Sequence, residues 1–188
     1  TCQTALAEAE IEYHDETSHS IYVKFPLADD LGEDIPELAG KSPFVVIWTT
    51  TPWTIPANLA VALHPDFTYA AVEAENGEVY IVARDLVERC MAAFGISGFS
   101  VLAEIDARRL EGKNCHHPFY DRNSLIVLGS HVTLDTGTGC VHTAPGHGRE
   151  DYDVGLSYDL DIYSPLDDEG CFTREVEFFN GQFVFDAN

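Results

Sequence analysis

Trp48-Thr49-Thr50-Thr51-Pro52-Trp53-Thr54-Ile55-Pro56-Ala57-Asn58 sets four hydroxyls, two indoles and an amide in an apolar frame. Immediately before it, Phe44 to Ile47 is a short apolar, β-prone run of the kind that forms a buried strand. Pro52 and Pro56 have no backbone N–H and a fixed φ, so neither a ladder nor an α-helix runs on through them. The hydroxyls therefore emerge where regular structure stops. Adjacent threonines inside a strand alternate between its faces, but at a strand end followed by proline they can turn hydroxyls and amides toward one cavity. A threonine-rich bulge at a sheet edge is the plainer reading of the same residues.

A second segment, Gly137-Thr138-Gly139-Cys140-Val141-His142-Thr143-Ala144-Pro145-Gly146-His147-Gly148, leads into Arg149-Glu150-Asp151-Tyr152. Its glycines let a backbone approach a ligand closely and leave amide N–H groups available, and Pro145 stiffens the turn after a short strand at Cys140 to Thr143. A helix is predicted from Arg149. Asp151 falls in its first turn, where the helix dipole favours an ionised carboxylate able to receive a cation such as an α-ammonium group. An ordinary charge at a helix start is the alternative for Asp151. His142 and His147 stand beside Asp151 and Asp153, so a metal-dependent hydrolase built on His142, His147 and Asp151 is a competing reading. The two histidines straddle Pro145 and glycines, however, instead of sharing a helix face as in His-Glu-x-x-His, and no metal is assigned.

Around these segments short strands alternate with a few helices. Ser20 to Phe25, Ser100 to Ile105 and Leu125 to Leu128 read as strands, and Tyr69 to Ala74 with Glu78 to Val82 read as a hairpin about Asn76-Gly77. Asp85 to Phe94 carries Leu86, Val87, Cys90, Met91 and Phe94 at helical spacings with Gly95 as a stop, and Arg149 to Tyr158 is a second helix. Asp29 to Gly40, acidic and holding Gly32 and Pro36, reads as a variable surface loop.

Composition narrows the class. With 188 residues and 45% hydrophobic content the chain can bury one sizeable core, and a single domain over 1–188 is expected. No apolar run approaches the roughly 20 residues needed to cross a bilayer, and residues 1–10 have no basic start or apolar middle of a secretory signal. Cys2, Cys90, Cys115, Cys140 and Cys171 are odd in number and scattered, with no Cys-x-x-Cys pair, which fits reduced thiols in the cytoplasm. The balance of 32 acidic against 10 basic residues, net −22, repels phosphate. With only Lys24, Lys41 and Lys113 as lysines, such a surface suits a salt-adapted source, and cations such as Arg84, Arg108, Arg122 and Arg149 either scatter or gather at a site entrance.

The two segments together closely resemble the editing domain of isoleucyl-tRNA synthetase, the connective polypeptide 1 insertion that interrupts that enzyme's catalytic domain. Related valyl and leucyl editing domains carry an arginine and an acidic residue where this chain has Thr51, Pro52 and Trp53, so the isoleucyl branch fits. His117-Pro118-Phe119, Leu128-Gly129-Ser130-His131-Val132 and the Phe183 to Asn188 tail extend the resemblance over nearly the whole chain. It implies an α+β fold with a barrel-like, mainly antiparallel β core and flanking helices, of the type shared by valyl, isoleucyl and leucyl editing domains, excised from a larger class I synthetase. The implied reaction is hydrolysis of valine wrongly esterified to isoleucine tRNA, with valyl-adenylate as a possible second substrate. The implied partners are the valine-bearing acceptor end of that tRNA and the remainder of the synthetase, with no membrane and no cofactor.

On this resemblance Thr50 and Thr51 orient the attacking water or the terminal ribose, with Thr49 beside them, and Asp151 holds the substrate ammonium. Asn58 hydrogen-bonds the adenosine or braces the threonine loop. His142 is the size-limiting wall, and Trp48, Ala144 and His147 complete the substrate pocket. A synthetic site shaped for isoleucine cannot reject valine, since a missing methylene is worth only about 1–3 kcal/mol; isoleucine against valine is the standing illustration of that limit. A second site that excludes the larger side chain inverts the test. A degenerate domain that binds aminoacyl or nucleotide ligands without cleaving them is the main alternative. No ATP-binding loop or aminoacylation motif is present.

Overall fold

The structure, a computed structural model, describes residues 19–187. Among them the chain forms strands β1 (Ile21–Pro26), β2 (Phe44–Thr49), β3 (Ala60–Leu63), β4 (Thr68–Ala74) and β5 (Val79–Ala83), helix α1 (Val87–Ala93), β6 (Phe99–Asp106), β7 (Asn114–His116), β8 (Asn123–Leu128), β9 (Cys140–Thr143) and helix α2 (Arg149–Ser157). One sheet has the order β1-β2-β5-β4-β6 and the other β7-β8-β3-β9. Neighbouring strands pair antiparallel except β2 with β5 and β3 with β8.

The α+β class and the mainly antiparallel core are those expected, but the β core is two sheets and not a closed barrel. The nearest approach to closure is one isolated bridge between Leu27 and Cys115, just past β1 and within β7. Across that seam Ala28 N donates to the Asn114 carbonyl at 2.8 Å, without a longer ladder between β1 and β7. The sheets meet by packing instead, with β2 against β9. This contact carries the end of the first sequence segment to the strand of the second.

The strands follow from their residues. β2 buries Val45, Val46 and Ile47, and β5 buries all of Val79 to Ala83, as central strands covered on both faces do. The hairpin closes at Asn76-Gly77, where Asn76 Oδ1 accepts from Glu78 N at 3.0 Å. In α1, entered through a 3₁₀ turn at Arg84–Leu86, Val87, Cys90 and Met91 face the core. Residues 29–40 are less variable in form than a loose loop, since Leu31, Ile35 and Leu38 are buried and pin a 3₁₀ turn at Pro36–Leu38. Among the described residues no helix is long and apolar enough to cross a membrane.

Candidate active site

β2 stops at Thr49 because Pro52 cannot extend its ladder, and Pro52–Ala57 winds instead into a 3₁₀ helix with proline in its first turn. Local hydrogen bonds fix this turn. Thr51 N donates to Thr49 Oγ1 at 3.0 Å, and Thr54 donates to the Thr51 carbonyl through both its N–H (3.1 Å) and its hydroxyl (2.8 Å). Thr50 is left exposed at the bend while Thr49 is buried.

From this turn a polar chain crosses to β9. His142 Nε2 lies 2.8 Å from Thr54 Oγ1, and His142 Nδ1 lies 2.9 Å from Asn58 Nδ2. Asn58 Nδ2 also donates to the Ala60 carbonyl at 2.7 Å, and Asn58 Oδ1 accepts from Ser124 Oγ. The direction of every bond follows. The Thr54 hydroxyl donates to Thr51, so its oxygen accepts from His142, which must carry its proton on Nε2. His142 Nδ1 then accepts from the Asn58 amide. Burial, with His117 and His147 nearby, lowers the His142 pKa to about 3, so the ring is neutral and locked in one tautomer. His117 is held alike: Nε2 donates to the Ile55 carbonyl at 2.9 Å, Nδ1 accepts from Phe119 and Tyr120 N–H, and burial lowers its pKa to about 4.

Beside this network is a cavity of about 270 Å³, lined by Trp48 to Thr50 from the end of β2, by Thr136 to Val141, and by His131 and Thr133. None of these side chains is an acid, a lysine or an arginine, in a chain of net charge −22. The glycine-rich wall is clamped to the first sheet. Tyr69 Oη donates to the Gly139 carbonyl at 2.7 Å, and Ala83 N donates to the Thr138 carbonyl at 2.8 Å. Gly139 has φ +76, and a Cβ there would stand 2.4 Å from Ala83 Cβ, so no other residue fits. Gly137 lies against Trp48, where a Cβ would meet the indole's own Cβ at 3.3 Å.

Asp151 sits in the first turn of α2, where its Oδ2 accepts from Ala144 N at 3.0 Å. Burial raises its pKa, while the Ala144 N–H and the neighbouring His131 act in the opposite sense. A Cβ on Gly148 would come within 3.1 Å of Asp151 Cγ and Oδ2, so the glycine makes room for the carboxylate. Asp151 is not itself a wall of the cavity; His131, which lines the cavity, is its electrostatic neighbour. His147 packs edge-on against Trp53 at 5.4 Å, and its pKa is lowered by burial.

The sequence-predicted residues thus fall into connected groups. Trp48, Thr49 and Thr50 share the cavity. Asn58 and His142 are buried and bonded to each other, Asn58 in the bracing arrangement, with its amide wholly engaged inside the protein. Ala144 and Asp151 are joined through backbone N–H and carboxylate, and the Ala144 carbonyl accepts from His147 N. Thr51 acts through its backbone and does not line the cavity. His142 does not line it either. Both of its nitrogens are engaged, leaving no lone pair for a metal, and among the described residues no three His, Cys, Asp or Glu side chains form a metal-holding group. Thr54, Ser124, Tyr69 and His131 were not singled out from the sequence. Thr54, inside the threonine-rich run, and His131, inside the Leu128–Val132 stretch of the resemblance, carried a signal there without a role of their own.

Arg149 opens α2 two residues before Asp151, but most of the cations that form ion pairs lie elsewhere. Lys24, Lys41, Arg84, Arg108 and Lys113 pair with carboxylates elsewhere on the surface. Arg122 also lies at the site: its guanidinium donates to the Pro56 and Asn58 carbonyls, the latter at 3.0 Å, and closes the end of the threonine turn.

No protein-family model matches the chain. Among curated proteins it is 61% identical over 188 residues to the isoleucine-tRNA ligase of Geobacter sulfurreducens and 60% identical over 191 residues to that of Desulfovibrio desulfuricans. Each match covers all of this chain and 20% of the ligase, so the chain spans about one fifth of the length of these relatives. Among solved structures it resembles the editing domain of the cytosolic leucyl-tRNA synthetase of P. knowlesi, with a TM-score of 0.69 at 13% identity, covering 89% of each chain. The corresponding P. falciparum domain gives a TM-score of 0.60 at 11% identity, over 76% of this chain and 68% of that one. Along its whole length, therefore, the chain is similar to one segment of the isoleucine-tRNA ligases and has the fold of a synthetase editing domain.

Proposed function

We propose that the chain hydrolyses the ester of valine wrongly attached to isoleucine tRNA. The observation that carries this reading is the junction of the two segments. The threonine turn and the Gly137–Asp151 segment are joined through Thr54, Asn58 and His142, and they flank one hydroxyl-lined cavity without acid, lysine or arginine side chains, close to the Asp151 carboxylate. An aminoacyl-adenosine end matches that division. Its ribose and base are neutral and suit a cavity of threonines and an indole without charged side chains. Its ammonium suits Asp151 Oδ1, since an unpaired buried ammonium would be costly.

The chemistry asks for placement more than for a strong base. An aminoacyl ester is already activated, so a water held in line with the carbonyl needs orientation and stabilisation of the oxyanion. Water oxygen bonds to the carbonyl carbon, the bond to the ribose oxygen breaks, and that oxygen takes up the proton, giving free valine and tRNA. Thr50 orients the water or ribose. Thr51 shapes the bend that presents it. Asp151 fixes the ester by its ammonium, and the locked His142 ring, which does not itself line the cavity, ties the threonine turn to β9 and so sets the fixed spacing that excludes the extra methylene of isoleucine. No metal takes part in any of these steps.

Incubation with valyl- and isoleucyl-tRNA, with and without a chelator, tests this function. Chelator-insensitive release of valine with isoleucine retained is expected. Release of both, or dependence on a metal, would overturn the reading.

A further inference from the structure

His131 has no role in the hydrolysis proposed so far, yet three observations converge on it. It lines the hydroxyl-bearing cavity. It is the electrostatic neighbour that favours the ionised form of Asp151. Its Nε2 is buried and has no hydrogen-bond partner, one of two buried side-chain polar atoms among the described residues in that state. Gly129 makes room for the ring: a Cβ there would stand 2.5 Å from His131 Cε1 and 2.7 Å from Nδ1, and 3.4 Å from Val154 of α2. His131 thus fills the space between the threonine-lined cavity and the helix that carries Asp151.

Buried polar atoms in folded proteins nearly always have a partner, and one that lacks it forfeits hydration without compensation. Such an atom at the edge of a ligand cavity marks a partner that arrives with the ligand. We propose that His131 is a further substrate-positioning residue, whose Nε2 is completed by the ribose hydroxyl next to the scissile ester. This assignment rests on the editing reading. If the nucleoside occupies the threonine-lined cavity and the ammonium reaches Asp151, the ester and its neighbouring hydroxyl span the gap that His131 occupies. A hydroxyl both donates and accepts, so it completes Nε2 in either tautomer of the ring. A rotation about the Cβ–Cγ bond turns that nitrogen from its sealed position to the cavity side.

The test measures deacylation of valyl-tRNA by the protein and by His131→Ala and His131→Gln, on ordinary tRNA and on tRNA whose terminal adenosine lacks the ribose hydroxyl beside the ester. The expected result is a roughly tenfold slower reaction for His131→Ala on ordinary tRNA, the size of one lost hydrogen bond to substrate. Most of that loss should be recovered by His131→Gln, whose amide reaches the Nε2 position. On the deoxy substrate the unaltered protein and His131→Ala should be equally slow. Equal rates on ordinary tRNA, or the same tenfold gap on the deoxy substrate, would overturn the assignment. Absence of hydrolysis by the unaltered protein overturns the editing reading itself, whereas hydrolysis indifferent to His131 overturns this assignment alone.

Discussion

Asn58→Ala is the substitution most exposed to contradiction, because the structure fixes what it leaves behind. Asn58 is fully buried, and its amide serves three partners: the Ala60 carbonyl, His142 Nδ1 and the Ser124 hydroxyl. Truncation strands all three. A buried polar group without a partner costs roughly 1–3 kcal/mol, so three at the low end come to about 3 kcal/mol. In a protein of this size each kcal/mol moves Tm by about 2–4 °C, which puts the expected fall at roughly 6–12 °C. Ser124→Ala, which strands only Asn58 Oδ1, should cost about a third as much. Thermal unfolding followed by circular dichroism reads both, and the ¹⁵N resonances of the His142 imidazole report whether the Nε2–H tautomer survives. A fall below about 2 °C for Asn58→Ala, or an unchanged, singly populated tautomer, would refute the claim that this amide holds His142 in place.

Other consequences are as definite. His142 and His117 have pKa values of about 3 and about 4, below the 6.5 of an unfolded histidine. Their contribution is therefore complete above pH 6.5 and declines as pH falls, costing about 3 kcal/mol each by pH 4; Asp151, whose pKa is raised, works with the opposite sign. Urea titrations at pH 7 and pH 4.5 should show the lower stability at the acid end, and equal midpoints would contradict the assignment of neutral buried rings. Gly148→Ala presses a methyl against Asp151 and should slow deacylation roughly tenfold with little change in Tm, because misplacement of a binding group by a fraction of an ångström is felt in rate. Unchanged kcat/KM would separate Gly148 from the site. Salt should raise Tm, since a net charge of −22 repels itself until screened. A flat response between 0.05 and 1 M salt, taken as about a threefold range of Debye length or more, would argue against that repulsion.

Much of the molecule was readable from residue order where local signals were strong. The Asn76-Gly77 hairpin, the α1 segment and the strand and helix of the glycine-rich segment form within a few residues of their expected bounds. β3 escaped because Ala60-Val61-Ala62-Leu63 is a short apolar run without alternation, buried on both faces between β8 and β9. β7 is three residues held by its partner strand. The α+β class and mainly antiparallel core were legible, but that the curled core stays two sheets joined at one seam by the Leu27–Cys115 bridge was not, since closure depends on which distant edges meet. In the site, hydroxyls and carboxylate were legible as residue types. Their division of labour was not: the bonds from Thr54 and Asn58 to His142 span 88 and 84 residues, and Ser124, a lone serine in β8, gives no sign of its partner.

The central claim is that Asp151 holds the ammonium of an ester whose sugar sits among the threonines. The most direct measurement compares kcat/KM for valyl-tRNA and for tRNA esterified with the α-hydroxy analogue of valine, in the unaltered protein and in Asp151→Asn. The account predicts a loss of roughly a hundredfold or more for Asp151→Asn on the valyl ester, as expected when a buried charge loses its partner, and equal, slow hydrolysis of the hydroxy ester by both proteins. Undiminished hydrolysis of the valyl ester by Asp151→Asn, or the same loss on an ester that has no ammonium, would contradict it.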